Sequence, residues 1–257
     1  MVAAQVEVTR GRTGYFYVWM AGLFVVIAFG GFAPTYWLQL SAGTFVGPPL
    51  LHIHGLMFSA WTLFLLSQTS LAAMGRLEHH RAWGLAGIAL ASAMVVVGAA
   101  VAIERVRHGL ADGYAEQSLR FMILPISAVT LFGVFITAAI ANIKRPDWHK
   151  RFMLIATIFL LEAALARVFM VLNAGMAAGA RPGLGPPPPI EAARPASAIL
   201  AAIMLLGVIY DWRTRGRPHP AWLIGIAALA ATALLRGPVS ASEEWQAFAY
   251  NLAHIAG

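Results

Sequence analysis

The chain has 257 residues, 60% of them hydrophobic and only 11% charged, too little polar surface to coat a soluble domain. It contains no cysteine, which excludes disulfides, Cys-ligated zinc, iron–sulfur clusters and thiol chemistry. The net charge of +7 lies mostly in short loops between apolar runs, so it points to membrane topology and away from nucleic acid.

A membrane-crossing helix needs about 20 apolar residues to cover roughly 30 Å of hydrocarbon. Seven segments meet that need: Tyr15–Phe32, Leu50–Met74, Trp83–Ile103, Phe121–Ile143, Phe152–Ala174, Ala196–Tyr210 and Ala221–Leu235. Arg10 and Arg12 precede the first, with no small-residue cleavage pattern after it, so it reads as a retained helix and not a signal peptide. Pro125 predicts a kink in the fourth. Between the fifth and sixth, Ala180–Pro195 carries Pro186–Pro189 and reads as a stiff, polyproline-like connector. After the seventh, Ser240 and Glu243 have the spacing of a capping box, and Trp245, Phe248, Leu252 and Ile255 fall on one helical face. The expected fold is an all-α polytopic bundle: a seven-span membrane domain over residues 1–236, then an outer-surface amphipathic helix over 237–257.

Orientation follows from the basic residues. Arg10, Arg12, Arg76, Arg81, Lys144, Arg145, Lys150, Arg151, Arg213, Arg215 and Arg217 share one side, and fewer (Arg105, Arg107, Arg120, Arg181, Arg194, Arg236) share the other. This asymmetry predicts N-inside, C-outside. Inner and outer refer to that expected orientation. The Arg-rich, Ala-rich composition suggests a bacterial chain, hence the bacterial inner (plasma) membrane. His80–Trp83, His149–Phe152 and His219–Trp222 recur at spacings of 69 and 70 residues, each before an apolar run. They fit a helical-hairpin pseudo-repeat of about 70 residues, and equally helices of similar length with aromatic belts.

Three groups of residues could carry chemistry. His54, Trp61 and Gln68 lie seven apart and so line one face of the second span, as a polar path or as packing contacts between helices. Glu162 and Arg167 stand inside the fifth span, where a charge is costly and marks a site or a paired partner. Five residues is a 140° turn, so each should face a different neighbour: the Trp61 region for Glu162, and His54 or a ligand anion for Arg167. His80, His149 and His219, with His79, gather at the inner surface, as ligands for haem b or a metal ion or as interface anchors. Met122 and Met170 would be alternative axial ligands.

Some classes are excluded by inspection. A retinal protein needs a lysine within a span, and the only lysines, Lys144 and Lys150, share a loop. Receptor-like intramembrane hydrolases need a histidine in the last span, which has none. The closely spaced histidine boxes of membrane desaturases are missing as well.

The run His52-Ile-His54-Gly55, then Trp61, Gln68 and His80-Arg81-Ala-Trp83-Gly84, resembles a group of uncharacterised bacterial multi-spanning proteins with the pattern H-x-H-G, W, Q, H-R-x-x-G. Pro146-Asp-Trp-His149-Lys150-Arg151-Phe152 is similar to that group's second loop. The resemblance covers about residues 33–170 and implies a membrane fold without an activity. Hairpins with histidines at membrane edges give a looser likeness to membrane b-type cytochromes. Three functions follow as expectations: a membrane-embedded haem- or metal-binding redox protein with His54, or the inner cluster of His80, His149 and His219, as ligands; a binding or transport protein for a small amphipathic solute, with His54, Trp61, Gln68, Glu162 and Arg167 lining its pocket or a proton path; or an accessory subunit meeting a membrane protein partner. No catalytic set is assigned. The lipid bilayer is the expected surrounding in every case.

Overall fold

The computed structural model describes residues 2–174 and 185–255, and those residues form helices and connecting turns without a strand. Seven of the helices are long and apolar enough to cross a membrane: Tyr15–Ser41 (span one), Pro49–Ala73 (two), Leu77–Ala111 (three), Ala115–Ala141 (four), Pro146–Asn173 (five), Ile190–Arg215 (six) and Pro220–Ala241 (seven). The protein is therefore a multi-pass, all-α membrane bundle. Its outward faces carry the large apolar side chains that lipid would cover, among them Trp19, Leu56, Leu85, Val96 and Leu234.

Span five is the hub, with 56% of its apolar window buried against 17–33% for the other spans. It packs on spans one, four, six and seven, while spans one to four contact one another in sequence. Small residues permit the closest approach: a Cβ on Gly31 of span one would lie 2.4 Å from the Ala164 carbonyl oxygen of span five. The shared core then runs through Phe24, Trp61, Phe132, Phe159 and Trp222.

Three spans are interrupted, and two of the interruptions have a proline as their cause. Span four breaks at Met122 between Ala115–Phe121 and Ile123–Ala141. The Pro125 ring clashes with the carbonyl four residues back, at Phe121, so the expected kink falls one turn before the proline. In span one, Pro34 lies within a π-turn over Ala33–Trp37. Span five breaks at Leu161, whose N–H reaches back three residues to Ile158 O (3.1 Å), and a new helical segment begins at Glu162. Pro189 has φ −57° and ψ 148°, the polyproline-like geometry expected of the connector, and leads into a 3₁₀ turn over Ile190–Ala193. The part of that connector over residues 180–184 lies outside the described residues.

The seventh span runs past the expected end at Leu235 to Ala241, which places Ser240 inside a helix and buried. The cap of the last helix, Glu243–Ile255, is instead Ser242, whose Oγ accepts from Trp245 N–H at 3.2 Å. That helix does not lie free on the surface. Its Ala249 and Ala253 pack with Val106, Leu119 and Met122 in a second small core. Trp245 Nε1 donates to Leu119 O (2.9 Å), and Arg107 Nε donates to Ala253 O (2.7 Å). Trp245 and Leu252 take part in this packing, Phe248 stays exposed, and the side chain of Ile255 lies outside the described part. Met122 is enclosed in the same core, where it serves packing.

Candidate functional site

Glu162 finds its hydrogen-bond partners on spans six and seven. It opens the second segment of span five, where the helix N-terminus favours an anion, and takes two hydrogen bonds from Arg236 of span seven: Nη1 to Oε1 (2.6 Å) and Nη2 to Oε2 (2.7 Å). Ser197 of span six adds Oγ to Oε1 at 2.6 Å, so one carboxylate ties three spans together. Arg236 was expected on the outer surface, because its charge ends the hydropathic window of span seven. Paired with Glu162, it is buried within the helix. An apolar cleft of ≈ 430 Å³ between spans six and seven reaches this triad, with Glu191 and Arg194 also in its lining.

A second buried pair escaped the sequence reading. Arg151, expected in an inner loop, is 1% exposed and forks onto Asp211 of span six, with Nε donating to Oδ2 at 2.8 Å and Nη2 to Oδ1. Its Nη1 donates to the Asp147 carbonyl (2.7 Å), and the His219 N–H reaches Asp211 Oδ2 at 3.3 Å. The beginnings of spans five and seven and the end of span six are thereby locked at the inner face. Charge balance was the available signal for Glu162, an acid inside an apolar run that needs an arginine, and a weaker one for Asp211, which lies one residue beyond the sixth run.

The second-span face turns inward as its spacing predicts, with Trp61 and Gln68 buried. Trp61 Nε1 donates to Thr157 Oγ1 of span five (3.0 Å), and its ring meets Phe132 edge-on at 5.2 Å. Among the described residues, Gln68 Oε1 has no hydrogen-bond partner in its buried position, nor has His80 Nδ1, and the His80 ring lies beside the Gln68 backbone.

The four histidines do not form one site. His54 stands in the outer half against Phe58, with ring centroids 4.0 Å apart. His80 and His149 meet edge to face at 6.3 Å, and His149 Nδ1–H donates to Ala139 O (2.9 Å). His219 packs on Trp148 at 4.6 Å. Its Nδ1 accepts from Ala221 N–H (3.1 Å), and burial, then the nearby Arg151 and Arg215 charges, push its pKa down to about 4. Among the described residues, no group of three or more His, Asp or Glu side chains is arranged to hold a metal ion.

Arg167 differs from the buried arginines Arg151 and Arg236, being only partly buried by the protein. Its Nη1 donates to Ala163 O of its own helix (2.9 Å), and its guanidinium lies 4.3 Å over the Phe32 ring. No described carboxylate forms an ion pair with it, since Glu162 is held by Arg236. Its charge acts on the His54 ring, whose buried Nδ1 has no hydrogen-bond partner among the described residues. Thr35, three residues beyond Phe32 in the π-turn, likewise has a buried Oγ1 with no hydrogen-bond partner among the described residues. Above them Tyr36 hydrogen-bonds His52 Nδ1 at 3.0 Å. The outer ends of spans one, two and five thus combine one cation, two imidazoles and several aromatic rings.

Fold and geometry define a seven-span integral membrane protein with two buried ion pairs and an arginine within span five that pairs with none of the described carboxylates. No protein-family model, curated protein or solved structure matches the chain.

Proposed function

We propose that the protein binds a small amphipathic anion in the outer half of the membrane, with Arg167 taking the anionic group. The observation that carries this reading is an arginine inside span five with no described carboxylate partner, beside a buried His54 nitrogen that lacks one too. A cation at that depth is costly alone, and a carboxylate or phosphate with an apolar body would offset the cost. Phe32 and Phe58 supply apolar surface for the body, and His54 Nδ1 and Thr35 Oγ1 can complete the polar contacts. Trp61 and the Glu162 triad then serve as the frame that fixes spans two, five, six and seven around the site, and the buried Gln68 lies further in along the same face of span two. Native mass spectrometry of protein extracted from membranes tests this. An anionic amphiphile retained by the wild type and absent from Arg167→Gln is the expected result; identical bound species in both proteins would refute it.

A second reading, a redox role for haem or a metal at the inner face, rests on the contact of His80 with His149. The bond from His149 Nδ1–H to Ala139 leaves Nε2 as the free ring nitrogen, and the buried His80 Nδ1 is unpartnered. Such orienting of a histidine by a carbonyl is the support that ligating imidazoles use. An absorption spectrum of the oxidised and reduced protein, with metal analysis, separates the two: a stoichiometric Soret band favours this reading, and a colourless, metal-free protein removes it.

A further inference from the structure

We infer that the inner face holds a second anion site, unrelated to Arg167, that receives a phosphate group. An open cavity of ≈ 680 Å³ lies between the loop before span five and the loop before span seven, lined by Arg145, Arg215, Arg217, Asp147, Trp148 and His219. Its volume falls in the range of small-molecule sites, about 300–1,000 Å³, larger than an inorganic ion needs.

The charge balance of the cavity is positive. The carboxylate of Asp147 is shared by Lys150 Nζ (3.2 Å), Arg151 Nη1 (3.3 Å) and Arg215 Nη2 (3.9 Å). Neither Arg145 nor Arg217 forms an ion pair with a described carboxylate. Two helices also begin at this cavity, at Pro146 and Pro220, and present their positive dipole ends to it. The Ala221 N–H bond to His219 Nδ1 leaves the ring proton on Nε2, so this neutral histidine is a donor. The walls are held in place: Trp148 meets His219 edge to face, and the Arg151–Asp211 fork bonds to the backbone of both loops, at Asp147 and His219.

Positive-inside topology explains why these arginines are on this side of the membrane, but not why three of them converge on one cavity. Basic pockets between helices at a cytoplasmic surface suit anionic headgroups, and a soluble phosphate ester offers the same group. Arginine forks bind phosphate in two-pronged fashion, which fits two arginines left without acids.

The test uses the full chain in nanodiscs of neutral phosphatidylcholine. Unfolding temperature and tryptophan fluorescence are followed while inorganic phosphate or glycerol phosphate is added, or phosphatidylglycerol is built into the disc, with sodium chloride at matched ionic strength as control. The wild type and Arg81→Gln, a basic residue outside the cavity, should show a saturable response. The double variant Arg145→Gln/Arg217→Gln should weaken it about tenfold or more. A response to phosphatidylglycerol alone assigns the site to a lipid headgroup; saturation by the soluble esters assigns it to a free phosphate. Should the double variant not fold, Arg217→Gln alone carries the comparison. A response no larger than that to chloride, or one undiminished in the folded variants, would overturn the inference.

Discussion

Glu162 and Arg236, 74 residues apart, meet inside the bundle as a two-pronged ion pair, and Ser197 donates to the same carboxylate. Removing one partner of such a pair leaves a buried charge uncompensated, at a cost of about 3–5 kcal/mol, whereas replacing both with apolar side chains is far milder. Glu162→Gln and Arg236→Met should each lower the unfolding midpoint in detergent steeply. The double variant Glu162→Met/Arg236→Met should recover most of the loss. Additive losses would mean that the two residues do not act as a pair.

Arg167 predicts the opposite pattern. Its only described hydrogen bond is to a carbonyl of its own helix, so Arg167→Gln breaks no ion pair. The variant should fold with the wild-type midpoint or a slightly higher one while losing its ligand. A large destabilisation, comparable to that of Arg236→Met, would show that Arg167 has a structural role.

His219 makes stability depend on pH in one direction. Its pKa is lowered to about 4 in the folded protein, from an ordinary value near 6.5, so the unfolded chain binds more protons between those values. Its contribution is complete above about pH 6.5, is lost as pH falls toward about 4, and changes no further below that. Thermal unfolding measured from neutral pH downward should show this slope, and His219→Gln should flatten it. An unchanged slope in the variant would place the titration on another group.

Close packing supplies a fourth expectation. A Cβ on Gly207 of span six would lie 2.3 Å from the ring of Trp222, which is fully enclosed by the core. Gly207→Ala should therefore cost about 1–3 kcal/mol, read as a lowered midpoint. A neutral result would mean that Trp222 has room to move.

The spans were legible because seven apolar runs leave little choice of class, and Pro125 announced the break in the fourth. The inward face of His54, Trp61 and Gln68 followed from helical period alone. Pairings between distant residues were not legible. Hydropathy ends span seven at Arg236 because it scores a charge without its partner, and Glu162, which neutralises that charge, is 74 residues away. For the same reason Arg151 read as a loop cation until Asp211 stood beside it. A regular histidine spacing fixed the distance along the chain but not the direction of each ring: His80 and His149 touch, while His219 turns to Trp148. Ser240 satisfied the capping pattern, but Ser242 caps the helix, because span seven continues to Ala241.

The most direct measurement is an equilibrium titration of the nanodisc-embedded protein with a fluorescent long-chain carboxylate, comparing wild type, Arg167→Gln and the pair variant Glu162→Met/Arg236→Met. Saturable binding that weakens about tenfold or more in Arg167→Gln and survives in the pair variant is the predicted result. Binding that is absent in the wild type, or indifferent to Arg167, would contradict an anion site in the outer half of the membrane.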